Sequence, residues 1–398
     1  MSDHLFEARS ERSYLLQLTS LRGIACLVVL VGHVIQVIRY DPVTRGPWGR
    51  AAHDLVTYLF NAQAAVLLFF VLSGCVLSLS LQRVGRFDGA VLARFYIKRL
   101  FRIYPLLWVS VLVAVMVMLH VRSTMEVEVF VDWLSRNLHA PVSPVHVGLA
   151  LAGAYTRYNG PMWSLRVELI FSVLFPVVLF LMRNRVARPW ALAGFIMLAL
   201  VPMPSEIGLN FGLAFALGAL IPMLPSPAWA ASPALPLVAT IVLLYDRLAL
   251  GGHAVPEQIY DVIETLAAFV IVRDLYASGR SYGVLTHRVT IWMGELSYSV
   301  YLLHLPILLL LFDLMQGHVG LRPLLSDPDV TQTVLALGTI CVTLAVSSVT
   351  YHLVELPLHN LGRLLASRLP DRARPQTAGR GGEVALATPV AACAERDG

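Results

Sequence analysis

Apolar runs of roughly twenty residues recur along this chain from near its start to about residue 354. That is the length a helix needs to cross the ~30 Å hydrocarbon core of a bilayer. Inside that core every backbone polar group must be satisfied internally, which restricts spanning segments to helices or closed barrels. Of the 398 residues, 57% are hydrophobic and 14% are charged, with a mean hydropathy of +0.70. A soluble domain carries about 25% charged residues, so there is too little polar surface here to cover a globule in water. The expected fold class is therefore all-α: a polytopic transmembrane helix bundle of about ten spans. They are placed at approximately 18–39, 57–81, 103–121, 162–182, 188–204, 207–224, 232–249, 258–277, 290–315 and 331–354.

Basic residues set the expected orientation, because cytoplasmic loops carry the excess of Lys and Arg. The segment after the second run holds Arg83, Arg86, Arg94, Lys98, Arg99 and Arg102. Arg183, Arg185 and Arg188 follow the fourth run, and Arg273, Arg280 and Arg288 follow the eighth. Arg363, Arg368, Arg372 and Arg374 lie in the tail. The alternate loops are balanced or acidic: Glu126, Glu128 and Asp132 against Arg122 and Arg136, and Asp327 and Asp329 against Arg322. All arginine-rich segments share one side if both termini are cytoplasmic. The net charge of +5 thus speaks to membrane topology, and nothing points to nucleic acid. Residues 1–13 read as a cytoplasmic N-terminal segment without a cleavable signal peptide. Residues 14–365 read as the membrane domain, and 366–398, rich in Ala, Gly, Pro and Arg, as a disordered cytoplasmic tail. Cys26, Cys75, Cys341 and Cys393 have no metal-ligand spacing and read as small hydrophobes; no metal site is expected.

Ionisable side chains inside spans are expensive and mark sites or pathways. His33 lies eleven positions after Arg22 in SLRGIACLVVLVGH, about 16 Å along the helix. Glu168 in NGPMWSLRVELIF enters from the opposite side, roughly 10 Å below the start of its run, so the two reach similar depth. A histidine and a carboxylate at one depth can form a general-base pair. His304 lies about 20 Å along the ninth run and precedes Pro306, which suits a structural role as well as a chemical one. His33 is also compatible with a purely structural bond to a neighbouring helix. Arg166 is two residues from Glu168 and points elsewhere, and Trp163 suits an interfacial anchor. In RFYIKRLFRIYP, Arg99 and Arg102 share one helical face near Tyr96 and Tyr104. That arrangement serves as a topology signal or as a fork for phosphate oxygens.

In order along the chain, these motifs resemble the acyltransferase-3 family of integral membrane O-acyltransferases. The likeness rests on Arg22 and His33 as an Arg-x10-His signature, FFVLSGCVLS at 69–78, FYIKRLFRIYP at 95–105, NGPMWSLRVELIFSVLFP at 159–176, LSYSVYLLHLPIL at 296–308 and YHLVELP at 351–357. It runs from about residue 14 to 365. Departures are Ser172, Arg166 and Cys75, where the family favours tyrosine, serine and an aromatic. The resemblance implies a stand-alone member without a fused esterase-like domain, located in the cytoplasmic (inner) membrane as a multi-pass protein. It implies an acyl-CoA co-substrate, foremost acetyl-CoA, no bound cofactor, and a hydroxyl acceptor on an envelope or exported carbohydrate, with a macrolide or other secondary metabolite as the alternative. His33 and Glu168 would be catalytic. Arg22, Arg99, Arg102 and Tyr104 would bind the donor, and Ser73, Trp163, Ser164, Tyr298, His304 and Glu355 are further site candidates. Midplane His and Glu also suit a proton-coupled transporter, although no inverted repeat is visible. No sequence feature speaks to oligomeric state.

Overall fold

With no water to bond to in a bilayer, backbone amides have to pair within their own segment, and every expected span is indeed helical in the computed structural model. The structure describes residues 2–37, 46–82, 88–124, 130–204, 207–226, 232–250, 255–317 and 328–369, and no strand is present among them. Arg83, Arg86, Glu126, Glu128, Arg322, Asp327, Arg372, Arg374, Cys393 and most of the expected tail, 370–398, lie outside the described residues.

Six stretches among the described residues are long and apolar enough to cross a membrane: Tyr14–Val37, His53–Leu81, Gly89–Thr124, Met162–Arg183, Arg288–Gly317 and Val330–Ser367. The other four expected spans fall on helices of a different kind. α8 (Ala187–Ala199) and α10 (Ala234–Ala249) have 13 and 16 residues, about 20 and 24 Å of helix. α9 (Gly212–Leu220), flanked by 3-10 turns at Leu209–Phe211 and Ile221–Met223, is buried on nearly every side. α11 (Glu257–Ala277) is long enough but carries Glu257, Asp261, Glu264, Arg273 and Asp274. Length and charge, which a hydropathy reading averages away, set these four apart.

Several boundaries also move. α1 (Ser2–Val37) begins well before residue 18. The second run is broken into α2 (Gly46–Leu59) and α3 (Ala62–Gln82), with Asn61 at the break. There Asn61 Oδ1 accepts from the Ala64 N–H (3.1 Å), capping α3, while its Nδ2 donates to Glu264 Oε1 (2.7 Å). From Gly89 onward the basic segment before the third run is no loop: α4 (Gly89–Thr124) is one helix through Pro105. The short α5 (Asp132–Leu138) and α6 (Pro144–Leu151) lead to α7 (Met162–Arg183). After α12 (Gly283–Thr286), α13 (Arg288–Gly317) passes through Pro306 unbroken. α14 (Pro328–Thr350) continues through a π-helical turn, Tyr351–Glu355, into α15 (Leu356–Ser367).

Glycines decide which helices touch. A Cβ on Gly294 of α13 would collide with the Thr19 carbonyl of α1, and one on Gly23 would lie 2.6 Å from the Gly294 nitrogen. α3 and α9 meet in the same way at Gly74 and Gly218. Such small-residue contacts let backbones approach in membranes, where no hydrophobic force drives helices together. The α1–α13 contact is what brings the polar residues of these two helices into register. The core beside them is aromatic, with Phe215 stacked on Phe171 (4.4 Å) and on Phe70 (5.1 Å). Cys26 and Cys75 are buried, whereas Cys341 is exposed on α14.

One end of the bundle gathers the arginine-bearing helix ends. Arg183 Nη2 donates to the Leu81 carbonyl (3.1 Å), and Gln17 of α1 bonds Arg280 O and Tyr282 N, both at 3.0 Å. Gly362 of α15 packs against Phe101 of α4.

Candidate active site

Seven of the sequence-predicted residues line one cavity: Arg22 from α1, Ser73 from α3, Arg99 and Arg102 from α4, Ser164 and Glu168 from α7, and Tyr298 from α13. On α4 and α7 the spacings of three and four residues place each pair on one helical face. Glu168 accepts from Arg99 Nη2 (2.8 Å), and the same guanidinium donates to Ser172 Oγ from Nη2 (2.6 Å) and Nε (3.2 Å). The Ser172 hydroxyl in turn donates to the Glu168 carbonyl (2.6 Å). Ser172, one helical turn past Glu168 and a departure from the family pattern, therefore holds the arginine in place. Arg22 Nη2 donates to Ser297 Oγ (3.2 Å), whose hydroxyl donates to the Gly294 carbonyl (2.7 Å). Tyr298 donates to the Ile103 carbonyl (2.7 Å) and ties α13 to α4. Arg102 makes no hydrogen bond or ion pair among the described residues. Its guanidinium is the cation left available in this cavity.

A second cavity shares Val76, Leu77, Arg99 and Arg102 with the first and adds Arg94, Lys98 and His359. Leu81 lines it too, placing it at the arginine-bearing end of the bundle. A third shares Val66 and Tyr301 with the first and holds His33 and Trp163. The three spaces lie in series, with the Arg94, Lys98, Arg99 and Arg102 cluster at one end and His33 at the other. At the second junction Tyr301 and Ser164 meet oxygen to oxygen at 2.5 Å.

The expected His33–Glu168 pair does not form. Glu168 is engaged by Arg99 in the first cavity, whereas His33 meets His304: His304 Nε2 and His33 Nδ1 lie 3.2 Å apart. Depth along a helix axis does not say which way a side chain turns. His304 Nδ1 lies 3.1 Å from the Val300 carbonyl and His33 Nδ1 lies 3.0 Å from that of Val29. A carbonyl can only accept, so both Nδ1 atoms carry the proton when the rings are neutral. His304 Nε2 then accepts from His33 Nδ1–H, shared with Val29 O. This leaves the lone pair of His33 on Nε2, which makes no hydrogen bond among the described residues. The His33 ring lies edge-on to Trp133, with centroids 5.9 Å apart.

Three other candidates sit elsewhere. Tyr104 donates to the Ala152 carbonyl (3.4 Å) and lies against Trp108, outside these cavities. Glu355, in the π-helical turn, accepts from the Ser299 hydroxyl and lines none of the three. Trp163 is a wall of the His33 cavity, packed on Phe211 (5.4 Å), so an interfacial anchor is not its setting. Arg166 turns away from Glu168 to the Ala154 carbonyl (2.9 Å). Sequence reasoning missed Tyr301 and Ser297, although Ser297, Tyr301 and His304 form a polar stripe at spacings of four and three on α13. Trp133 sits on a seven-residue helix and carried no such signal.

The family model described as an acyltransferase domain matches residues 15–352, most of the chain. The chain belongs to the acyltransferase-3 family. No curated protein and no solved structure matches it. This acyltransferase is a multi-pass membrane enzyme, which sets aside the transporter reading. The matched region contains every residue of the three cavities named above except His359.

Proposed function

We propose that this acyltransferase takes an acyl-CoA, foremost acetyl-CoA, at the cytoplasmic face and transfers the acyl group to a hydroxyl of an envelope or exported carbohydrate. The observation that carries the reading is the series of three cavities, from the Arg94, Lys98, Arg99 and Arg102 cluster to His33. The distribution of basic residues supports a cytoplasmic arginine-bearing end with both termini inside, and the family resemblance supports the inner membrane. CoA carries phosphates, and Arg94, Lys98, Arg99 and Arg102 meet at that end. Planar guanidinium groups bind phosphate oxygens with charge-assisted hydrogen bonds. The pantetheine arm would extend through the first cavity past Arg22 and Glu168 toward Tyr301 and bring the thioester near His33.

His33 Nε2 then accepts the proton of the acceptor hydroxyl as that oxygen attacks the thioester carbonyl, and the CoA thiolate leaves. In the two-step alternative, Nε2 itself attacks the carbonyl and passes the acyl group on. In both, His304 and the Val29 carbonyl hold Nδ1–H and keep the lone pair on Nε2. Glu168 acts on the donor side, fixing Arg99, instead of pairing with His33.

Arg102 tests the donor half. Arg102→Ala is expected to raise the KM for acetyl-CoA about 10- to 100-fold, the cost of a lost charged hydrogen bond, with a smaller change in kcat. Steady-state kinetics of the purified enzyme check this, and an unchanged KM would reduce the basic cavity to a topology signal.

A further inference from the structure

The His33 cavity contains cations that neither topology nor internal pairing explains. Arg136 on α5 and Arg157, in the turn before α7, both line it, and both are exposed. They belong to the end of the bundle opposite the arginine-rich one, where the charge bias of membrane proteins calls for no excess of arginine. Neither makes a hydrogen bond or ion pair among the described residues. Arg122 nearby behaves differently: it is consumed by the carbonyls of Leu138 and Ala140 at the end of α5. Arg157 and Asn137 also share a small adjoining cleft, which brings Arg157 beside the last turn of α5, where Arg136 sits.

The opposite wall carries a third arginine, but this one is paired. Arg247 enters the cavity while bonded to Glu264 Oε1 (2.8 Å) and Glu257 Oε2 (2.7 Å), and its Nη2 is buried without a partner. Asp54 is the one carboxylate among the described residues lining this space, against the exposed Arg136 and Arg157 and the paired Arg247. Trp133 and Trp163 also line this space, and Trp133 packs against His33 with ring centroids 5.9 Å apart. Trp133 is held in position by Gly160, where a Cβ would lie 2.8 Å from the ring. Flat aromatic walls suit the C–H face of a sugar ring, and available guanidinium groups suit a carboxylate or a phosphate.

We infer that the acceptor is an anionic glycan: a carboxylate or phosphate docks at Arg136 and Arg157, and this places a hydroxyl of the adjoining ring at His33 Nε2. The inference rests on the carbohydrate-acceptor reading above and adds its charge. Glucuronic acid, glucose 1-phosphate and glucose are the probes, each offered with radiolabelled acetyl-CoA to the purified full-length enzyme. The acceptor kcat/KM is expected to be about tenfold or more higher for at least one charged sugar than for glucose, the worth of one charge-assisted hydrogen bond. Which charged sugar leads tells carboxylate from phosphate. Arg136→Gln combined with Arg157→Gln is expected to bring that ratio close to one, a readout that simple loss of folded enzyme does not move. Glucose used as well as both charged sugars, or a ratio unchanged in the double variant, would overturn the anionic docking while leaving a carbohydrate acyltransferase in place. If all three sugars stay unlabelled while acetyl-CoA is still cleaved, the carbohydrate reading fails, and this inference with it.

Discussion

Replacing His33 with alanine is expected to lower acyl transfer by about 10²- to 10⁴-fold, the range a positioned proton acceptor contributes. The residue lines the third cavity, its Nδ1 is occupied by Val29 O and His304, and its Nε2 lone pair has no competing donor among the described residues. A purely structural imidazole would leave a different trace. His33→Ala would then lose folded protein while the surviving fraction kept the wild-type rate. Initial rates normalised to monodisperse enzyme after detergent extraction separate these outcomes, and a wild-type rate per folded molecule would remove His33 from the chemistry.

The second large effect is expected at Glu168, and it combines stability with activity. Arg99 and Glu168 are 12% and 27% exposed at their side chains and share a 2.8 Å contact. Removing one member of a buried pair leaves an uncompensated charge, at a cost of about 3–5 kcal/mol, whereas replacing both by apolar groups can be nearly neutral. Glu168→Ala should therefore melt well below the wild type and lose activity. Arg99→Met combined with Glu168→Leu should recover most of the melting temperature and none of the activity. Thermal unfolding in detergent, followed beside turnover, checks both halves. A single variant as stable as the wild type would mean that Ser172, which also accepts from Arg99, is partner enough.

Much of this arrangement was legible in the residues, because membrane burial makes each polar side chain conspicuous. Arg22, Arg99, Arg102 and Glu168 stand out as charges in or beside apolar runs, Ser73, Ser164 and Tyr298 come from the family resemblance, and all seven converge on one cavity. Directions of side chains were not legible. Helical rise gives depth along the axis, but the partner of Glu168 depends on how α7 is rotated against α4 and α1, and that is set by contacts such as Gly23 with Gly294. The span count shows a related weakness. α9 and α11 are as hydrophobic as crossing helices in parts of their length, but one is short and buried within the bundle and the other carries five charges. The break at Asn61 was hidden because the apolar run continues on both sides of it, while the chain is turned by a side-chain cap and an ion-paired partner on α11.

The central claim is that the donor is taken at the arginine-bearing, cytoplasmic end and the acyl group is delivered to an acceptor in the cavity at the other. Membrane vesicles of the two orientations test it most directly. Radiolabelled acetyl-CoA, which does not cross a bilayer, is sealed inside right-side-out vesicles bearing the enzyme, and anionic glycan is supplied only outside; inside-out vesicles receive the reverse arrangement. The expected result is label on the external glycan of right-side-out vesicles, dependent on His33, and label on the enclosed glycan when inside-out vesicles receive acetyl-CoA from the medium. Label that forms only when acetyl-CoA and glycan share a compartment would contradict a route through the three cavities.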